Sequence, residues 1–147
     1  MAKFKYRMQS ILNIKEKLEE QAKNEFAAAR RRLDDEEEKL EELKQRKAGY
    51  EEEGRRLRLS ALNILDLTDN KNAIDTMDEY IALQQIEVNK AAALLEEARI
   101  KLTEAMKEAK IHNRLREKAF EEFKKGINAQ ESKEIDELTS YTYGQKN

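Results

Sequence analysis

Residues 74–112 read IDTMDEYIALQQIEVNKAAALLEEARIKLTEAMKEAKIH, and the spacing of their small and apolar members decides the fold. Ile74, Met77, Ile81, Gln84, Val88, Ala91, Leu95, Ala98, Leu102, Ala105, Ala109 and His112 follow one another in alternating steps of three and four, and only Gln84 and His112 among them are not apolar. A repeat of 3.5 residues held this long keeps one seam of a helix turned to a partner and winds the pair left-handed. With Ile74 at position a, bulky aliphatics fill most a sites, whereas the d sites Ala91, Ala98 and Ala105 hold the smallest apolar side chain. Alternating large and small layers let two helices approach closely, which suits antiparallel neighbours in one chain better than a parallel zipper with leucine at d.

The composition agrees with a rod rather than a globule. Of 147 residues, 41% are charged and 6% aromatic, with no Pro, Trp or Cys. Such a chain cannot fill the broad core of a compact domain of its length, but it can fill a narrow seam. The repeating apolar face separates it from charged disordered chains, which have none. A formal net charge of −2 gives no global field for nucleic acid or anionic lipid. The opening MAKFKYRMQSILNIKEK has no apolar stretch of signal-peptide length, and the longest uninterrupted apolar run, Ala91 to Leu95, is far short of a membrane span. A cytoplasmic, disulfide-free protein is expected.

Outward from the central seam, the predicted architecture is all-α: one coiled-coil domain over 1–147, built as two long helices in an antiparallel hairpin with a short helix at the tip. Helix 1 is predicted over about 4–57, the tip over about 58–70 and helix 2 over about 71–138, with a frayed tail over 140–147. Helix 1 opens on an apolar face of Phe4, Met8, Ile11, Ile14, Leu18, Ala22 and Phe26, spaced closer to the straight-helix period than to a heptad. From Phe26 a heptad runs through Ala29, Leu33, Glu36, Leu40, Leu43, Lys47 and Tyr50, with Glu36 and Lys47 as interruptions. The stretch from Arg30 to Arg58 carries ten basic and ten acidic residues at spacings that pair on solvated helix faces.

At the tip, Ser60 is a candidate N-cap for a short helix from Ala61 to about Leu67, and Thr68 to Asn72 reads as a polar turn capping helix 2. Leu59, Leu62, Ile64, Leu65 and Leu67 are too many apolar residues for a bare loop, so the tip either folds back on itself or offers a sticky patch. At about 1.5 Å per residue, helix 1 spans roughly 80 Å and helix 2 roughly 85 to 100 Å. The longer helix therefore overhangs at the end that holds both termini.

No catalytic constellation can be assembled. The single histidine, His112, falls on a d position, where a polar layer that sets register is the simpler role. Without Cys or a second His there is no nucleophilic triad and no thiolate or multi-histidine zinc site, and a two-helix rod has no cleft to desolvate paired carboxylates. No cofactor, no metal and no enzymatic activity are expected. Such a rod is suited to holding two partners at a fixed separation. At its terminal end Lys3, Lys5, Arg7, Lys15 and Lys17 face Glu131, Glu134, Asp136 and Glu137, charges that either pair with one another or present a docking surface.

The opening Phe4-Lys-Tyr6-Arg-Met8-Gln-Ser-Ile11-Leu12-Asn-Ile14-Lys-Glu-Lys resembles that of the flagellar export protein FliJ family. Asp78-Glu79-Tyr80-Ile81-Ala-Leu83 is similar to the family's pattern after the tip. Leu115-Arg-Glu117-Lys118, followed by Glu131-Ser-Lys133-Glu134-Ile135-Asp136-Glu137, is similar to its C-terminal signature. The resemblance implies a non-enzymatic stalk of the flagellar type III export apparatus, similar to the central stalk of rotary ATPases. It further implies insertion into the hexameric export ATPase ring, promotion of ring assembly and activity, contact with the cytoplasmic domain of the export gate, and binding of export chaperones. By position, Phe4, Met8, Ile11, Asp136 and Glu137 fall at the end that would meet the ATPase, and Leu43, Tyr50 and Tyr80 at places that would contact the gate. Neighbouring places hold Lys39, Arg46 and Gln84, and the first two make that second surface more charged than the family pattern. The free protein is expected to be a monomer, with a four-helix dimer built on the same seam as the alternative, and to associate peripherally with the inner face of the cell membrane at the flagellar base.

Two other functions fit the same rod. One is the stalk of a virulence type III secretion system or of a rotary ATPase. The other is a holdase-like chaperone gripping unfolded clients with the apolar tip from Leu59 to Leu67.

Overall fold

The computed structural model describes residues 3–60 and 63–145, apart from the side chains of residues 142–145. Two long helices pack against each other as a hairpin: α1 is Gln9–Leu59 and α2 is Ile64–Gln145. No strand occurs among the described residues. All twelve members of the central 74–112 series are buried or half-buried, so the seam read from the sequence is the seam of the fold.

The ends of the helices differ from expectation in three places. α1 starts at Gln9, not near Phe4, after a turn in which the Gln9 amide donates to the Tyr6 carbonyl. No separate short helix occurs among the described residues of the tip; Ile64 to Leu67 form the first turn of α2, whereas Ala61 and Leu62 lie outside the described residues. The cap is Asn63, whose side-chain oxygen accepts from the Leu65 amide at 3.0 Å. Thr68 to Asn72 hold no Gly or Pro and stay helical, Thr68 Oγ1 donating to the Ile64 carbonyl at 2.8 Å. At the other end α2 passes through Gly126 without a break and continues to Gln145, through most of the stretch expected to fray.

The contacts gather the chain into two compact units: Ala22–Leu102, and the chain up to Gln21 together with the chain from Thr103 onward. In the 22–102 unit the buried core is Ala22, Leu40, Met77, Val88, Ala91 and Ala98. Asn70 fixes the register near the tip. Its Nδ2 donates to the Tyr50 carbonyl at 2.8 Å, and a Cβ at Gly54 would collide with its Oδ1, so this glycine makes the room Asn70 occupies. Carried along the heptads, that register sets Phe26 against Ala98 and Leu33 against Ala91, large side chains against small.

Polar interruptions of this seam answer one another. Gln84 Nε2 donates to the Glu36 carbonyl at 2.9 Å and also to its carboxylate, which together with the nearby Lys39 holds the Glu36 carboxyl below its ordinary pKa. Lys47 Nζ lies 2.7 Å from Asp78 Oδ1, a hydrogen bond and charge pair that raise the lysine's pKa.

In the other unit the heptad continues with different contents. Stepping back from Ala22 by alternating three and four gives Glu19, Lys15 and Leu12, and all three are buried or half-buried. Leu12 is 1% exposed, while Ile14 and Leu18, expected on the inner face, are 55% and 47% exposed. Helix continuity explains this: α1 is unbroken from Gln9, so the phase locked by Ala22, Leu40 and Tyr50 extends to its start, whichever residues fall there. Lys15 is accommodated by Glu108 at 3.5 Å, and Gln9 accepts from Arg116 Nε at 2.9 Å. His112 sits in the seam as expected, its Nε2 3.8 Å from Glu108 Oε2 and its Nδ1 buried without a hydrogen-bond partner among the described residues.

Candidate docking surfaces

The first expected surface lies in the terminal unit, and Phe4 is not free within it. Its ring packs on Phe120 and Phe123 at centroid distances of 5.1 and 5.4 Å, with the Arg116 guanidinium 5.7 Å from its centroid. Tilted aromatic pairs and an arginine over a ring face each add to area burial. Phe4 thus clamps the segment before α1 onto α2. Met8 is exposed, Ile11 is half-buried, and Asp136 and Glu137 are exposed on a stretch of α2 beyond the Phe4 clamp. The five residues therefore do not form one patch: three lie at the paired end and two on the single helix past it.

Sequence reasoning missed an apolar strip. Ile14 and Leu18 on α1 and Ile111 and Leu115 on α2, the latter two 52% and 48% exposed, hold positions c and g of their heptads, which fall on the same side of an antiparallel seam. The signal was present in the sequence: α1 carries two apolar stripes in its first turns, and an unbroken helix can bury only the one in phase with the rest.

The second expected surface lies in the 22–102 unit. Leu43 and Tyr80 line one shallow groove, together with Leu83, Gln84, Ile86, Glu87 and Lys90. Tyr80, Leu83 and Ile86 are exposed there. Tyr50 does not line this groove; it is half-buried in the seam with its carbonyl taken by Asn70. Leu83 and Ile86 fall outside the a and d positions of the heptad, and their exposure marks them.

At the tip, Leu59, Ile64 and Leu65 are exposed, so of the two readings open from the sequence the described residues present a sticky patch. Among the described residues no group of three or more His, Cys, Asp or Glu could hold a metal ion, and no helix is long and apolar enough to cross a membrane.

Two long helices packed against each other along a heptad seam define an α-helical coiled-coil protein. The flagellar FliJ protein family matches residues 4–147, and the chain belongs to that family. It is thus a component of the flagellar protein-export apparatus. The fold is similar to that of a solved structure described as a YscO homologue, CT670, from Chlamydia trachomatis, at 23% identity, 96% coverage of each chain and a TM-score of 0.61. No protein with a curated description matches.

Proposed function

We propose that the chain is a non-enzymatic stalk of the flagellar type III export apparatus. Its terminal unit docks in the ring of the export ATPase and promotes ring assembly and turnover, while the groove of Leu43 and Tyr80 meets the cytoplasmic domain of the export gate. It also binds export chaperones and works at the inner face of the cell membrane. The observation that carries this reading is the family match over residues 4–147. Exposure supports parts of it: Met8, Asp136 and Glu137 are available to a ring, and Tyr80 is available to a gate domain. Phe4 contributes by clamping the paired end, and the Tyr50 carbonyl by accepting from Asn70 in the seam.

ATP turnover by the cognate flagellar ATPase, with and without the protein, tests the reading. A rise in turnover and ring formation, reduced by Asp136→Ala with Glu137→Ala, is expected. No effect together with no co-elution would remove the ATPase from the account. The exposed Leu59, Ile64 and Leu65 favour a second reading, a holdase that grips unfolded clients at the tip. That reading requires Leu59→Ser with Ile64→Ser to abolish client binding while ATPase binding persists.

A further inference from the structure

Two surfaces of the terminal unit complement each other but cannot meet within one molecule. The first is the strip of Ile14, Leu18, Ile111 and Leu115. It lies on the paired end of the unit, where residues 3–18 and 111–125 together hold ten basic and four acidic residues. The second is the single helix beyond the Phe4 clamp. Its residues 126–145 hold four acidic residues and one basic. Ile127, Glu131, Glu134, Leu138 and Tyr141 recur there in steps of four and three, with Ile135 beside them. Ile135, Leu138 and Tyr141 are each more than 60% exposed.

A lone helix of this length is marginal in water, and most helix stability in proteins comes from packing an amphipathic face. Because α2 is unbroken, Leu138 stands about 22 Å beyond Phe123, at 1.5 Å per residue, and so cannot fold back on its own strip. Two tails laid on each other would bring like charges together. A tail laid on the strip of a second copy brings opposite charges together, and a two-fold axis makes the same contact twice.

We propose that two copies of this chain exchange their C-terminal helices, each laying Leu138, Tyr141 and Ile135 on the other's strip of Ile14, Leu18, Ile111 and Leu115. In this arrangement, antiparallel to the second copy's α2, Glu131 and Glu134 come opposite Lys118, the charged position that continues the strip on α2, and the nearby Arg7 in the turn before α1. The dimer covers Met8, Ile11 and the acidic tail, so it excludes the ring-docked state and departs from the free monomer expected from the sequence. It does not depend on the ATPase reading, because it is tested on the chain alone.

Sedimentation of the full chain between about 1 and 100 μM, a range that brackets ordinary micromolar association, is the test. A reversible monomer–dimer equilibrium, weakened by salt, is expected. Leu138→Asp and Leu115→Asp, both at exposed positions, should each raise the dimer Kd at least about tenfold, as loss of a central apolar contact does, with helix content unchanged by circular dichroism. Glu131→Lys with Glu134→Lys should weaken the dimer, and adding Arg7→Glu with Lys118→Glu should restore it. A chain that stays monomeric throughout, a Kd indifferent to both aspartates, or a charge swap without rescue would each overturn the proposal.

Discussion

The two units share one heptad phase and use it differently. In the 22–102 unit apolar and small residues fill the seam, and its polar members find close partners: Gln84 on Glu36, Lys47 on Asp78, Asn70 on the Tyr50 carbonyl. In the terminal unit the same phase buries Lys15, Glu19 and His112 in part and leaves Ile14, Leu18, Ile111 and Leu115 in solvent. The contrast lies in the seam: small and apolar side chains fill it in the first unit, whereas in the second charged and polar ones take part of it and a second apolar stripe on α1 stays exposed. Both units also carry exposed apolar residues off the seam, among them Tyr80, Leu83 and Ile86 in the first.

The largest expected effect sharpens that division. Leu40→Ala empties a buried layer of the 22–102 unit and should cost about 2–5 kcal/mol, read by chemical denaturation. Overpacking comes next: Ala91, 1% exposed, faces the bulky side of its layer, so Ala91→Leu should cost about 1–3 kcal/mol in the same measurement. Gly49 acts in the opposite direction. It lies in the interior of α1, and a Cβ there meets nothing within 4 Å, so Gly49→Ala should stabilise by about 0.8–1 kcal/mol.

Leu18→Ala should change stability by no more than about 0.5 kcal/mol, as at other exposed positions. A loss on the scale of Leu40→Ala would mean that Leu18 is core and would break the comparison. The smallest effect is a pH dependence. The carboxyl of Glu36 is held below its ordinary pKa chiefly by Gln84, so its contribution is full above that ordinary value and lost as pH falls through the lowered one. The wild type should therefore lose slightly more stability on acidification than Glu36→Gln, a difference visible in paired denaturation curves below about pH 4.5.

How much was legible in the sequence follows the same division. From Ile74 to His112 nearly every seam residue is apolar, so pattern and packing coincide and the reading holds throughout. Met8, just before α1, and Ile14 and Leu18 in its first turns advertise a face that the helix does not use. Phase is inherited from thirty residues of tighter heptad downstream, which reading the segment by its own apolar residues cannot reveal. The tip misled for another reason. Thr68 to Asn72 have turn-like composition, but Asn70 is a seam residue whose partner, the Tyr50 carbonyl opposite Gly54, lies twenty positions away. Of the proposed docking residues, Tyr80, Asp136 and Glu137 come from the resemblance and are exposed. Ile86 and the Ile14–Leu115 strip became visible only once exposure was known.

The most direct measurement is thiol labelling at two positions. The chain has no cysteine, so Leu12→Cys and Leu18→Cys each introduce a single reporter. In dilute solution, where the chain is monomeric, the thiol at position 18 should react at close to the rate of a free thiol. The thiol at position 12 should react about a hundredfold more slowly, limited by opening of the seam. Equal rates, or a protected position 18 beside a reactive position 12, would contradict the claim that this unit keeps the heptad phase and leaves its second apolar stripe for a partner.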